Sequence, residues 1–179
     1  MNNLLIIGND KIGRKAVSLI EKNNDTYIVL DKSSTLKRVL KLVFKKILSF
    51  DIVLKMFFAE IKRKNYKINN LDGIKSNNDL LKVIEEINPN KIILFRAGLI
   101  INKTILQKKI PLLNIHCANV PQYGGLGSIN KAIKEKAYYQ NACMHKVTSR
   151  IDEGEVIAKM PFQLSKKKSY SENENIAYN

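Results

Sequence analysis

Asn114 and His116 stand two residues apart in the apolar run Leu112–His116, which reads as a strand. Alternation along a strand sends both side chains to one face. An amide donor and an imidazole would then share the carboxyl end of a strand, where open α/β sheets hold their ligands. A flexible loop with Gly124, Gly125 and Gly127 follows, and Asp152 falls 36 residues beyond His116 in Ile151-Asp152-Glu153-Gly154. An imidazole of ordinary pKa can move protons near neutrality, and a carboxylate beside it can orient or charge it. Taken singly, a histidine at a strand end is more often a structural residue. The Asn-x-His pair, the glycine loop and the later Asp-x-Gly together favour chemistry on a small ligand.

The elements that must carry these residues alternate along the chain. Asn3–Gly8 and Thr26–Leu30 are short apolar strands around a helix over Lys11–Lys22. Ser33-Ser34-Thr35 offer caps for a basic amphipathic helix over Leu36–Phe50, with Leu36, Leu40, Val43, Phe44, Ile47 and Leu48 on one side. A second helix is expected over Ile52–Lys64, then a polar loop over Asn69–Asn78 and a helix over Asp79–Ile87 that ends at Asn88-Pro89. Strands follow at Lys91–Phe95, Leu112–His116, Ala142–Val147 and Val156–Leu164, with a helical turn at Thr104–Lys109 and a helix at Ser128–Lys136. Strands alternating with helices predict an α/β fold: one Rossmann-like domain with a mostly parallel sheet and helices on both faces. That domain is expected to span residues 1–165, with a polar, fraying tail over 166–179.

Composition narrows the function classes. The 179 residues are 45% apolar and contain no run near the ~20 residues of a membrane span. The start lacks the basic and long apolar segments of a signal peptide, so a cytoplasmic protein is expected. Cys117 and Cys143 cannot make a disulfide scaffold or a zinc motif. No metal is expected. The net charge is +15, and residues 32–67 hold eleven Lys or Arg against Asp51 and Glu60. This block could meet a nucleotide or an anionic membrane surface, or be only a solvated face in a Lys-rich chain. No Trp and no nucleic-acid motif are present, so a nucleic-acid partner is not expected. Gly8-Asn9-Asp10-Lys11-Ile12-Gly13 after the first strand, with Asp31 ending the second, has the placement of a dinucleotide fingerprint. Asp10 replaces its middle glycine and would repel a pyrophosphate, so a cofactor-free turn is expected.

The stretch from about Ile92 to Pro161, and the first ninety residues only loosely, resembles the folate-dependent formyltransferases, a family whose pattern is Asn-x-His-Pro-Ser-Leu-Leu-Pro-x-x-x-Gly followed by Asp-x-Gly. Asn114, His116, Pro121, Gly125 and Asp152 fall at the matching places, and His145 matches a strand histidine common in the family. Cys117-Ala118-Asn119-Val120 departs from the usual Pro-Ser-Leu-Leu. The resemblance implies transfer of the formyl group of 10-formyltetrahydrofolate to a primary amine. Asn114 and a charged His116 would stabilise the developing oxyanion, and Asp152 would hold His116 and help move protons. Ala97, Gly98, Leu99 and Ile100 resemble the segment that lines the folate pocket, and Arg150 and Ile151 would join them. Pro121 and Gly125 would shape the substrate loop. The expected acceptor is a nucleotide-linked amino sugar for a surface polysaccharide. The alternatives are methionyl-tRNA, glycinamide ribonucleotide, water in a formyl-folate hydrolase, or a non-catalytic binding protein on the same fold. A weak membrane contact through 32–67 and a homodimer stay open.

Overall fold

A computed structural model describes residues 2–20, 25–68 and 71–178. Its first strand, β1 (Asn3–Gly8), buries Leu4, Ile6 and Ile7 completely, as a strand covered on both faces must. It lies between β2 (Thr26–Asp31) and β4 (Lys91–Phe95), parallel to both. A two-residue strand, β3 (Gly73–Ile74), extends β2, and β5 (Leu112–His116) extends β4. Beyond β5 the direction reverses: β6 (Tyr139–Lys146) and β7 (Val156–Gln163) run antiparallel. Among the described residues these form one seven-stranded sheet in the order β3-β2-β1-β4-β5-β6-β7. The chain is therefore the single, mostly parallel Rossmann-like domain that the alternation predicts.

The helices are α1 (Lys11–Leu19), α2 (Leu36–Phe44), α3 (Phe50–Lys62), α4 (Asn77–Ile87), α5 (Lys103–Leu106), α6 (Ser128–Lys134) and α7 (Tyr170–Tyr178). Leu4, Ile6, Val29, Ile92 and Leu94 of the sheet pack with Leu80 and Ile84 of α4 and Ile105 of α5. A second cluster joins Cys117, Ala118 and Tyr123 to Ile129 and Ala132 of α6 and Ala177 of α7. Both cysteines are free and buried. No helix among the described residues is long and apolar enough to cross a membrane.

Several boundaries differ from the sequence reading for local reasons. Helix α4 starts two residues early because Ser76 and Asp79 form a reciprocal capping box. The basic helix ends at Phe44, and Lys46 takes a left-handed turn (φ 55°) before Ser49 starts α3. The end of the expected first helix, residues 21 and 22, and the loop residues 69 and 70 lie outside the described residues.

The largest difference is at the carboxyl end, where residues 170–178 form a packed helix and do not fray. Its buried residues are Asn173, Glu174 and Ala177, and the first two, at 0% and 5% exposure, are polar. The Asn173 side chain accepts from Ser165 N at 2.7 Å and donates to the carbonyls of Ser165, Lys168 and Ser169. Glu174 pairs with Arg63 at 2.6 Å and Arg96 at 3.3 Å. A helix whose inward side is polar carries no apolar stripe, so periodicity could not reveal it.

Candidate active site

The register of the sheet sets the site. Asn114 on β5 stands opposite His145 on β6, and His116 stands opposite Cys143. The chain then leaves β6 at Lys146 and returns at Val156, forming a loop that folds back over these strands. Its neck is tight: Lys146 N donates to Glu155 O at 2.9 Å. A Cβ on Gly154 would lie 1.7 Å from Lys146 O, so only glycine closes this loop. Asp152, at φ 54°, is thereby placed above β5.

Four neighbours converge on the Asp152 carboxylate. Oδ1 accepts from Asn114 Nδ2 at 3.1 Å and lies 3.3 Å from His145 Nε2. Oδ2 accepts from Gly125 N at 2.7 Å and lies 3.4 Å from His116 Nδ1. Burial alone would raise this carboxyl's pKa. The hydrogen bond with His145, the charge of His116 and the Gly125 N–H outweigh burial and hold it at about 2. His145 is 2% exposed, and burial would lower its pKa. Asp152 on one ring nitrogen and the Lys146 carbonyl on the other overcome this and raise it. The result is a fixed negative charge between two imidazoles, beside an amide donor.

The sequence-predicted residues fall into two groups. Asn114, His116, Asp152 and Gly125 are joined directly, and Gly125 reaches Asp152 from a left-handed turn (φ 79°). Pro121 follows a cis peptide bond in the same loop, and its carbonyl accepts from Gly124 N at 3.1 Å. Ala97, Gly98, Leu99 and Ile100 follow β4, the parallel neighbour of β5, and so emerge at the same edge of the sheet as His116. They are tied to Asp31 and not to the Asp152 cluster: Gly98 N and Leu99 N both donate to Asp31 Oδ2, the latter at 2.8 Å. Ile100 and Ile151 are 57% and 61% exposed, while the Arg150 side chain turns outward to Glu153. Among the described residues no three His, Cys, Asp or Glu side chains are placed to hold a metal ion.

Three contributions were not expected from the sequence. His145 completes the Asp152 cluster, and its only signal was a strand position shared with the family. The backbone carbonyl of Tyr123 lies 2.8 Å from His116 Nε2, so both ring nitrogens of His116 already face an acceptor. Asp31, placed as the acid of a dinucleotide fingerprint, is 3% exposed and spends its carboxylate on Ser33, Gly98 and Leu99 N–H groups. Asp10 also has a structural task, capping α1 through Gly13 N and pairing with Arg96. A separate concavity of about 300 Å³, lined by Lys11, Lys15, Lys62 and Tyr66 among others, touches none of the Asp152 cluster.

The profile of the formyl transferase family matches residues 19–176. A methionyl-tRNA formyltransferase of Rickettsia massiliae is 27% identical over 99 residues, covering 55% of this chain and 33% of its own. The corresponding protein of Caldicellulosiruptor saccharolyticus is 28% identical over 94 residues, covering 52% and 30%. These matches thus span about a third of the relatives' length. Among solved structures, a Mycobacterium tuberculosis protein described as a candidate sugar N-formyltransferase superposes with TM-score 0.64 at 12% identity, covering 99% of this chain and 63% of that one. Glycinamide ribonucleotide transformylase 1 of Geobacillus kaustophilus superposes with TM-score 0.64 at 15% identity, covering 99% and 91%.

Proposed function

The chain belongs to the formyl transferase family, and from that premise we propose that it moves a formyl group from 10-formyltetrahydrofolate to a primary amine. The observation that carries the reading is the convergence of Asn114, His116 and Gly125 on Asp152. 10-Formyltetrahydrofolate supplies the activated formyl group. The residues present fit it: the backbone of 97–100 is held still by Asp31 at the edge of the sheet where His116 ends β5, and Ile100 and Ile151 offer exposed apolar surface. As the amine attacks, Asn114 and protonated His116 donate hydrogen bonds to the oxygen on which negative charge develops. Asp152 keeps His116 oriented through its Nδ1. The amine must lose a proton and the departing nitrogen must gain one, and the Asp152–His116 pair relays that proton. Because His116 Nε2 faces the Tyr123 carbonyl, a formyl oxygen reaches that nitrogen only where the loop yields the position.

The acceptor we propose is a nucleotide-linked amino sugar; the M. tuberculosis neighbour is described as a candidate sugar N-formyltransferase. The turn after β1 supports this choice over a phosphate monoester seated at the start of α1. There Lys11 N donates to Glu60 Oε1 at 2.8 Å and Gly13 N to Asp10 Oδ1 at 2.7 Å. Two carboxylates already occupy donors that an anion would need. The relatives' names favour methionyl-tRNA as a second reading. Release of tetrahydrofolate from 10-formyltetrahydrofolate, measured with nucleotide-linked amino sugars, glycinamide ribonucleotide, methionyl-tRNA and no amine, separates these. Turnover with an amino sugar is expected. Turnover with no amine would make the protein a hydrolase, and none with any acceptor would make it a binding protein.

A further inference from the structure

Helix α3 packs with the wrong side for an ordinary amphipathic helix. Ile52 and Ala59 are buried, yet Phe50, Leu54, Phe57, Phe58 and Ile61 are 63%, 39%, 57%, 55% and 57% exposed. Their spacing of 0, 4, 7, 8 and 11 residues makes one continuous stripe. Helix α2 and the turn after it add Leu40, Phe44 and Ile47, at 54%, 85% and 64% exposure. Folding has therefore buried Leu48 of the turn with Ile52 and Ala59 of α3, and left a second apolar side, rich in phenylalanine, in water. Singly exposed apolar residues need no explanation, but stripes on two consecutive helices do.

The charge around the stripes identifies what would cover them. Asp51 is paired with Lys55 at 3.2 Å and Lys134 at 3.4 Å, and Glu60 accepts from Lys11 N. Lys37, Lys41, Lys45 and Lys46 have no ion-pair partner among the described residues, and they flank the exposed side of α2. With eleven basic residues against two acids in 32–67, a second copy of this chain would bring two cationic faces together. An anionic lipid surface meets both needs, with headgroups for the lysines and an apolar layer for the phenylalanines. We infer that α2 and α3 dock on an anionic membrane surface. The inner side of the same pair seats the substrate loop: a Cβ on Gly127 would lie 3.3 Å from Ile52, and Lys55 donates to Asn130 of α6 at 3.2 Å. Docking would thus hold the element that backs the active-site loop.

Co-sedimentation of the full chain with vesicles tests this independently of any formyl transfer. Vesicles of phosphatidylcholine with phosphatidylglycerol should bind the protein, pure phosphatidylcholine should not, and high salt should weaken binding. Phe44→Glu with Phe57→Glu, and separately Lys37→Gln with Lys41→Gln and Lys45→Gln, should each lower binding at least about tenfold. Both variants should keep the wild-type melting temperature, since these side chains are exposed. Absence of binding to anionic vesicles would overturn the inference. So would binding that survives the phenylalanine changes, which would be charge adsorption only. Self-association that Phe57→Glu abolishes, without vesicle binding, would assign the face to a second copy.

Discussion

The Asp152 carboxylate is the residue on which the site turns, because it holds both histidines, Asn114 and the Gly125 amide at once. Asp152→Asn should lower formyl transfer at least ~10²-fold while the chain still folds, measured as kcat with the melting temperature alongside. The same residue makes a pH prediction. Its pKa falls on folding from 3.8 to about 2, so its stabilisation is complete above about 4 and disappears as pH falls toward 2. His145 has a raised pKa, so its stabilisation is complete below 6.5 and is lost as pH climbs through the raised value. The stability difference between wild type and Asp152→Asn should therefore be largest between about pH 4 and 6.5, at roughly 2 kcal/mol. Urea melts across pH 2 to 9 check this, and a pH-independent difference would contradict it. Asn114, His116 and Asp152 were legible because chemistry of this kind needs fixed residue types at fixed spacing. His145 was less so, since a buried histidine on a strand has no spacing rule and its role depends on the β5–β6 register.

At the level of elements, legibility follows where the apolar atoms go. β1 and β4 are nearly continuous apolar runs set among neighbouring strands, and their sequences announce them. Helix α7 buries Asn173 and Glu174, satisfied by Ser165, Arg63 and Arg96, with Ala177 its one buried apolar residue, so its sequence looks like a tail. Strand β3 is two residues long and leaves no pattern to read. If α7 is structural, Asn173→Ala leaves the Ser165 N–H without its side-chain acceptor and removes three further side-chain hydrogen bonds that tie the helix to residues 165–169. It should cost roughly 2 kcal/mol or more in a urea melt, whereas a frayed tail would give no change. Truncation before Tyr170 should uncover Arg96, whose guanidinium lies 4.3 Å over the Tyr178 ring, and destabilise further.

For the whole molecule, the site sits where the sheet stops being parallel. β5 is the last parallel strand and β6 the first antiparallel one, and Asp152 comes from the loop that links β6 to β7. A parallel edge alone would have placed only Asn114 and His116. The reversal brings a second strand's histidine and a returning loop onto the same face. The most direct test of the central claim is formyl transfer under single-turnover conditions by wild type and His116→Ala, with a nucleotide-linked amino sugar as acceptor. Transfer by wild type with a loss of at least ~10²-fold in the variant, at unchanged melting temperature, is the predicted result. Equal transfer rates in the two proteins would contradict the proposed role of the Asn114–His116–Asp152 cluster.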